Sequence, residues 1–280
     1  MKRLLDIEFH KFKYSTSSKV LTIIYLIIVV AAMFIGLYEI NIDGKAMKLA
    51  DLNIFDFPFI WHLSTYLLSF LKFLIAIVIV SLMANEYSNR TLKQNLIDGL
   101  SKKELIISKF YFILFFTLIL TVLVFLVCLI LGLLYSDINE FNLIFRDVEY
   151  IGAFFVSHLA FFCMCLFAGV LVKRSAFALG LIGIWGIFEL IIFGLSSYLD
   201  FKFGWSSWDF LRDVLPLNTV SNLIVEPFSK VSLVKTGLET LSQSEFEKEY
   251  GVRWINVIMS SIWSALFVYW SYAILKKRDL

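Results

Sequence analysis

Apolar stretches of membrane length alternate along this chain with polar connections of unequal charge. The apolar stretches predict six helical spans: Val20 to about Tyr38, Phe59 to Met83, Ile106 to Tyr135, Tyr150 to Val172, Ala176 to Leu199 and Trp254 to Leu275. A run of about twenty apolar residues satisfies its backbone inside a bilayer as a crossing helix. Ahead of the first span, residues 1–19 pattern as a basic amphipathic helix. Leu5, Phe9 and Phe12 share one face, Arg3, Asp6, His10 and Lys13 lie roughly opposite, and Ile7 breaks the pattern. Such a helix is expected to lie in the interface with its basic face toward anionic headgroups.

The connection between the second and third spans, Asn85 to Lys109, is long and basic. Leu92, Leu96 and Leu100 recur every fourth residue and predict a short helix with one apolar face. Gly99 weakens that helix near its end, and Ser101 with Glu104 predicts a capping-box start for the next one. A plain turn needs only a few residues, so this stretch predicts a docking surface. Its leucines are expected to face the membrane or a groove in a partner, with Arg90, Lys93 and Asp98 around them.

The last connection, Asp200 to Arg253, is the longest. Trp205 and Trp208 suit a membrane interface. Leu215 to Val225 is apolar but too short to span, which predicts a re-entrant or interfacial helix stopped by Pro227. Pro216, Asn218 and Asn222 within it are candidates for an outer lid, and Val231 to Tyr250 reads as a polar outer helix or ordered loop.

Charge orients the chain. The N-terminus, the 85–109 connection, the Lys173-Arg174 turn and the C-terminus together carry 15 Lys and Arg against 6 acids. The other connections carry 9 against 16. Positive segments stay inside, so both termini are expected to be cytoplasmic, in agreement with an even number of spans. Lys72 and Glu189 belong to neither set. At about 1.5 Å per residue each lies roughly 15 Å from the outer end of its span, and opposite charges at matching depth predict an intramembrane ion pair.

Composition agrees. The chain has 280 residues, 60% hydrophobic and 17% charged, against about 25% charged in soluble domains. The three cysteines, Cys128, Cys163 and Cys165, fall inside apolar runs and read as buried thiols. The first apolar run is too long for a signal-peptide core and lacks a cleavage site, so it reads as a retained span. There is no phosphate-binding glycine loop, no His-Glu-x-x-His, no Gly-x-Ser-x-Gly and no carboxylate pair at one depth. Nothing argues for catalysis, a metal or nucleic acid.

The order of elements resembles the permease subunits of ABC-2-type transporters over nearly the whole chain. Those permeases are all-α and polytopic, with an amphipathic elbow helix, six spans, a coupling helix between spans two and three, and short outer helices before span six. Glu86, Thr91, Leu92, Ser101, Lys102 and Lys109 match the family's pattern around the coupling helix. Arg90 stands where glycine is usual, and Gly99-Leu100 where a Pro-apolar pair is common. The resemblance implies one transmembrane domain over 1–280 and a place in the cytoplasmic (inner) membrane. It implies a second permease copy and a separate cytoplasmic ATPase that carries ATP and magnesium, this chain binding no cofactor itself. The ATPase-coupling residues would be Glu86, Arg90, Thr91, Leu92, Lys93, Leu96, Leu100, Ser101 and Lys102. Export of an unidentified substrate is the implied activity. A membrane scaffold working with an ATPase in envelope assembly or motility, and a polytopic enzyme acting on lipid, are the competing readings.

Overall fold

The computed structural model describes residues 2–34, 38–42, 45–48, 54–89, 91–136, 138, 140–204, 208–230 and 249–278. Its helices are α1 (Lys2–Tyr14), α2 (Thr16–Phe34), α3 (Phe59–Ser69), α4 (Lys72–Ser88), α5 (Thr91–Ile97), α6 (Lys102–Tyr135), α7 (Phe141–Ile144), α8 (Glu149–Val172), α9 (Ser175–Phe203), α10 (Trp208–Val214), α11 (Pro216–Ser221) and α12 (Trp254–Lys277). The connection between the first and second apolar runs, which the sequence pattern left without structure, contains a two-stranded antiparallel sheet of Glu39–Ile42 with Lys45–Lys48.

α6, α8, α9 and α12 are each long and apolar enough to cross a membrane. The pairs α1–α2 and α3–α4 pass the same test together, bent by 86° and 45°. Counting each pair as one crossing gives six. The first bend follows from Ser15, whose hydroxyl accepts the Ser18 N–H at 3.4 Å and starts α2 afresh. The second bend interrupts the stretch Phe59 to Met83, for which one unbroken helix is expected. No proline or glycine marks it. The turn tightens locally to i→i−3 bonds, with Phe70 N–H on Leu67 O at 3.3 Å and Leu71 N–H on Leu68 O at 3.0 Å. Lys72 therefore opens a helix instead of lying inside one.

α8 occupies the centre and packs against α12, α4, α6, α9 and α3. Within an apolar solvent, helices associate through close packing and interhelical polar contacts, which favours small residues at the seam. α12 supplies such a seam, burying Asn256, Ser260, Ser264 and Ser271 on one stripe. α9 behaves oppositely. Phe177, Ile184, Ile191 and Phe201 are among its exposed side chains, and it buries Ala178, Ile182, Glu189 and Ser196. In α6, Gly132 admits the ring of Phe57, because a Cβ there would stand 2.2 Å from the ring edge.

After α9, the helical segment differs from the expected Leu215 to Val225. α10 precedes it, and α11 ends at Ser221, with the Asn222 N–H closing on Asn218 O at 2.9 Å. Trp205 and most of the expected outer segment 231–250 lie outside the described residues.

Candidate functional site

The basic segments meet at one end of the bundle around a buried cluster of charge. α1 contributes Glu8 and Lys11, α4 contributes Glu86, and α6 contributes Ser108 and Lys109. Lys109 Nζ donates to Glu8 Oε2 at 2.5 Å and also to Glu86 Oε1. Lys11 Nζ reaches Glu86 Oε1 at 2.6 Å and Glu8 Oε1 at 3.3 Å, and the Ser108 hydroxyl donates to Glu8 Oε1 at 3.3 Å. Glu8, Glu86 and Lys109 are buried, while Lys11 is partly exposed. Two acids and two bases cancel, so the cluster is neutral as a whole, yet each member depends on the others. Removing one partner of a buried pair typically costs about 3–5 kcal/mol. Phe9 and Phe12 set their rings against Phe112 at 5.4 and 5.8 Å. The apolar face of α1 is thus turned onto α6.

Between the two ends of this cluster stands α5. Gly99, at φ 94°, closes it in the left-handed conformation that glycine adopts without strain. The Gly99 N–H bonds to Leu96 O at 3.2 Å and the Leu100 N–H to Asn95 O at 3.0 Å, a Schellman ending. Ser101 then starts α6 with the expected capping box, its hydroxyl accepting the Glu104 N–H at 3.2 Å and its own N–H donating to Glu104 Oε2 at 2.9 Å. Leu92 is buried, and Leu96 packs against the core. The leucine face, expected to meet the membrane or a partner, instead anchors α5 to its own bundle. The free face carries Lys93, Gln94, Ile97 and Asp98, with Ile97 75% exposed. Thr91 and Leu100 are half-buried, and Arg90 lies outside the described residues. Lys102 Nζ donates to the Arg278 and Lys276 carbonyls at 2.8 and 3.3 Å, completing the C-terminus of α12. Arg278 does the same for α8, donating to Val170 O at 2.5 Å and Leu171 O at 2.7 Å. Cations at helix C-termini satisfy the last carbonyls and oppose the helix dipole.

A cleft of about 590 Å³ opens between α4 and α9, floored by Phe161 of α8 and roofed by α11. Lys72 and Glu189 both line it, but the expected ion pair between them is not formed. Glu189 accepts the Trp185 indole N–H at 2.7 Å, the Leu217 N–H at 3.1 Å and the Asn218 N–H at 2.9 Å. The first turn of α11 therefore holds the carboxylate. Lys72 lies over the Phe161 ring, 5.3 Å from its centroid. Pro216 is buried at the start of α11, where its missing N–H costs nothing. Asn218 lines the cleft, and its side-chain nitrogen has no hydrogen-bond partner among the described residues. Asn222 offers its carbonyl to Asn256 Nδ2 at 3.2 Å. Ser157 fastens Val220 O at 3.2 Å, and His62 meets Val225 O at 2.6 Å. Arg253 grips Asp213 of α10 with two bonds of 2.9 and 2.8 Å. Nearby, Lys230 lies 4.9 Å from the Tyr250 ring centroid, and burial lowers its pKa below the ordinary lysine value.

A sequence profile of the ABC-2 family transporter proteins matches residues 4–189. The chain belongs to the ABC-2 transporter family. No curated protein matches it. Membership and the apolar helices together make it a multi-pass membrane protein.

The portion that matches the ABC-2 family runs from α1 into α9 and takes in the charge cluster, α5, Lys72 and Glu189. α10, α11 and α12 lie beyond it. Three members of the cluster, Glu8, Lys11 and Ser108, escaped the sequence reading of this ABC-2 protein. A signal existed for Glu8: it falls at i+3 from Leu5 and i−4 from Phe12, on the apolar stripe of α1. A charge on an apolar stripe needs a buried partner, and Lys109, inside the third apolar run, is the other half of that signature.

Proposed function

We propose that this chain is the permease subunit of an ATP-binding-cassette exporter, paired with a second permease copy and driven by a separate cytoplasmic ATPase that binds ATP and magnesium. Both termini and α5 lie on the cytoplasmic side of the inner membrane in this reading. α1 is the elbow, α5 the coupling helix, and α10 and α11 the outer cap. The charge excess of the connections gathered at the α5 end supports that orientation.

The observation that carries the proposal is the way α5 is held. Leu92 is buried in the bundle and Leu96 packs against it, the Glu86–Lys109 pair closes the loop below it, and Ile97 and Lys93 are exposed. A helix fixed in this manner moves with α4 and α6 and offers an unused face to a partner. Closure of an ATPase dimer would push on that face and shift the spans between inward and outward states. Nucleotide shifts that equilibrium only by its differential binding to the two.

The test is reconstitution in vesicles of the full chain with the ATPase that purifies with it. The proposal predicts that hydrolysis depends on the permease and changes when the cleft is filled by Gly183→Leu. A chain that purifies without any ATPase, or an ATPase indifferent to it, contradicts the proposal.

A further inference from the structure

We propose that the cleft between α4 and α9 binds an amphiphile with an acidic headgroup, a lipid phosphodiester or a fatty-acid carboxylate, with the charge at Lys72 and the chain along the apolar wall. The inference rests on the permease reading only in taking α4 and α9 as membrane spans; it requires no ATPase.

Lys72 is 9% exposed, and among the described residues no carboxylate oxygen lies within 4.0 Å of its ammonium. It is also the first residue of α4. The N-terminal end of a helix is itself electropositive, so the site concentrates positive charge in a place where an unpaired charge is costly. An anion relieves both terms at once.

The acids nearby are already engaged. Glu189 is 2% exposed and accepts three hydrogen bonds, so swinging it to Lys72 would release the first turn of α11. Glu226 borders an adjoining recess of about 440 Å³ that also reaches Lys72, and it accepts the Ser229 hydroxyl at 2.5 Å and the Ser229 N–H at 3.3 Å. A buried cation left without a carboxylate partner suits an oxyanion.

The remaining wall suits a hydrocarbon chain. Phe73, Ile187 and Leu190 line the cleft and are more than half exposed, so it opens sideways between two apolar helices. Gly183 lines it too, and a Cβ there would meet nothing within 4 Å. The volume lies within the range of about 300–1,000 Å³ that holds small ligands.

The full chain would be placed in phosphatidylcholine nanodiscs without nucleotide. Trace diazirine-bearing phosphatidylglycerol, fatty acid or phosphatidylcholine is photolysed there, and labelled peptides are read by mass spectrometry. At least one acidic probe should label the peptides holding Phe73 and Leu190 well above the phosphatidylcholine probe, and which one does so identifies phosphate or carboxylate. Lys72→Gln should cut that labelling by about tenfold, the loss of one charge-assisted hydrogen bond, while Lys72→Arg retains it. Gly183→Leu should abolish labelling without lowering the unfolding temperature. Equal labelling by the phosphatidylcholine probe, or undiminished labelling of both Lys72→Gln and Gly183→Leu, overturns the proposal. So does efficient disulfide formation between two Leu190→Cys chains without acidic-probe labelling, which would assign the cleft to a second copy. Failure to find an ATPase leaves all these readouts intact and bears only on the permease reading.

Discussion

Glu86 and Lys109, 23 residues apart, form a buried ion pair that closes the chain on either side of α5. Glu86 ends the polar side of α4 and Lys109 sits two turns into α6. Glu8 and Lys11 complete the closure from α1. Three helices are thus fastened at the level where α5 leaves the bundle, and the position of α5 is set by electrostatics as well as by its leucines.

Glu86→Ala should destabilise the protein by about 3–5 kcal/mol, because it strands Lys109 and Lys11 beside a single carboxylate. Lys11→Ala should cost about 1 kcal/mol or less, since Lys11 is a quarter exposed and water screens it. The double change Glu86→Leu with Lys109→Met should recover most of the loss, because an apolar pair leaves no charge uncompensated. Thermal unfolding in detergent, with protease cleavage in α1 as a local readout, measures all three. A double variant as unstable as the single would contradict the account.

Gly132→Ala should destabilise by about 1–3 kcal/mol through overpacking, since the new methyl collides with the Phe57 ring. Phe57→Leu in the same chain should restore part of the stability. If Gly132→Ala unfolds like the wild type, the contact is looser than described.

The helical class, the spans as apolar runs, the capping box at Ser101 and the end of α5 at Gly99 were legible because each has a local cause in periodicity or in one residue's conformational preference. The partners of the charges were not. Lys72 and Glu189 are opposite in sign and alike in depth, yet the break at Phe70 and Leu71 has no sequence signal, and the backbone N–H groups of Leu217 and Asn218 carry none either. The carboxylate found main-chain donors that a side-chain reading does not see. The leucines of α5 revealed an apolar face but not its direction, since a bundle and a partner groove demand the same periodicity. Glu8 was legible in principle from its place among Leu5, Phe9 and Phe12, and its partner Lys109 lies 101 residues away.

Glu189→Leu should loosen α11 without unfolding the spans, because it removes the acceptor of two backbone N–H groups at the first turn. A cysteine at Asn222, half-buried in the native chain, should then react several-fold faster with a membrane-impermeant thiol reagent. Cys128, Cys163 and Cys165 are buried and should stay silent. Unchanged labelling would mean that Ser157, Asn256 and Arg253 hold the segment without Glu189.

The most direct test of the central claim is the retention of an ATPase by the full chain purified from its native membrane, comparing wild type with Ile97→Asp and Leu92→Asp. Ile97 is exposed and Leu92 is buried. The account predicts that wild type retains an ATP-hydrolysing subunit. Ile97→Asp should lose it about tenfold or more while keeping the wild-type unfolding temperature, the effect of a charge buried without a partner in an interface. Leu92→Asp should lose both the ATPase and thermal stability. Undiminished retention by Ile97→Asp would contradict the assignment of that face of α5 to the ATPase.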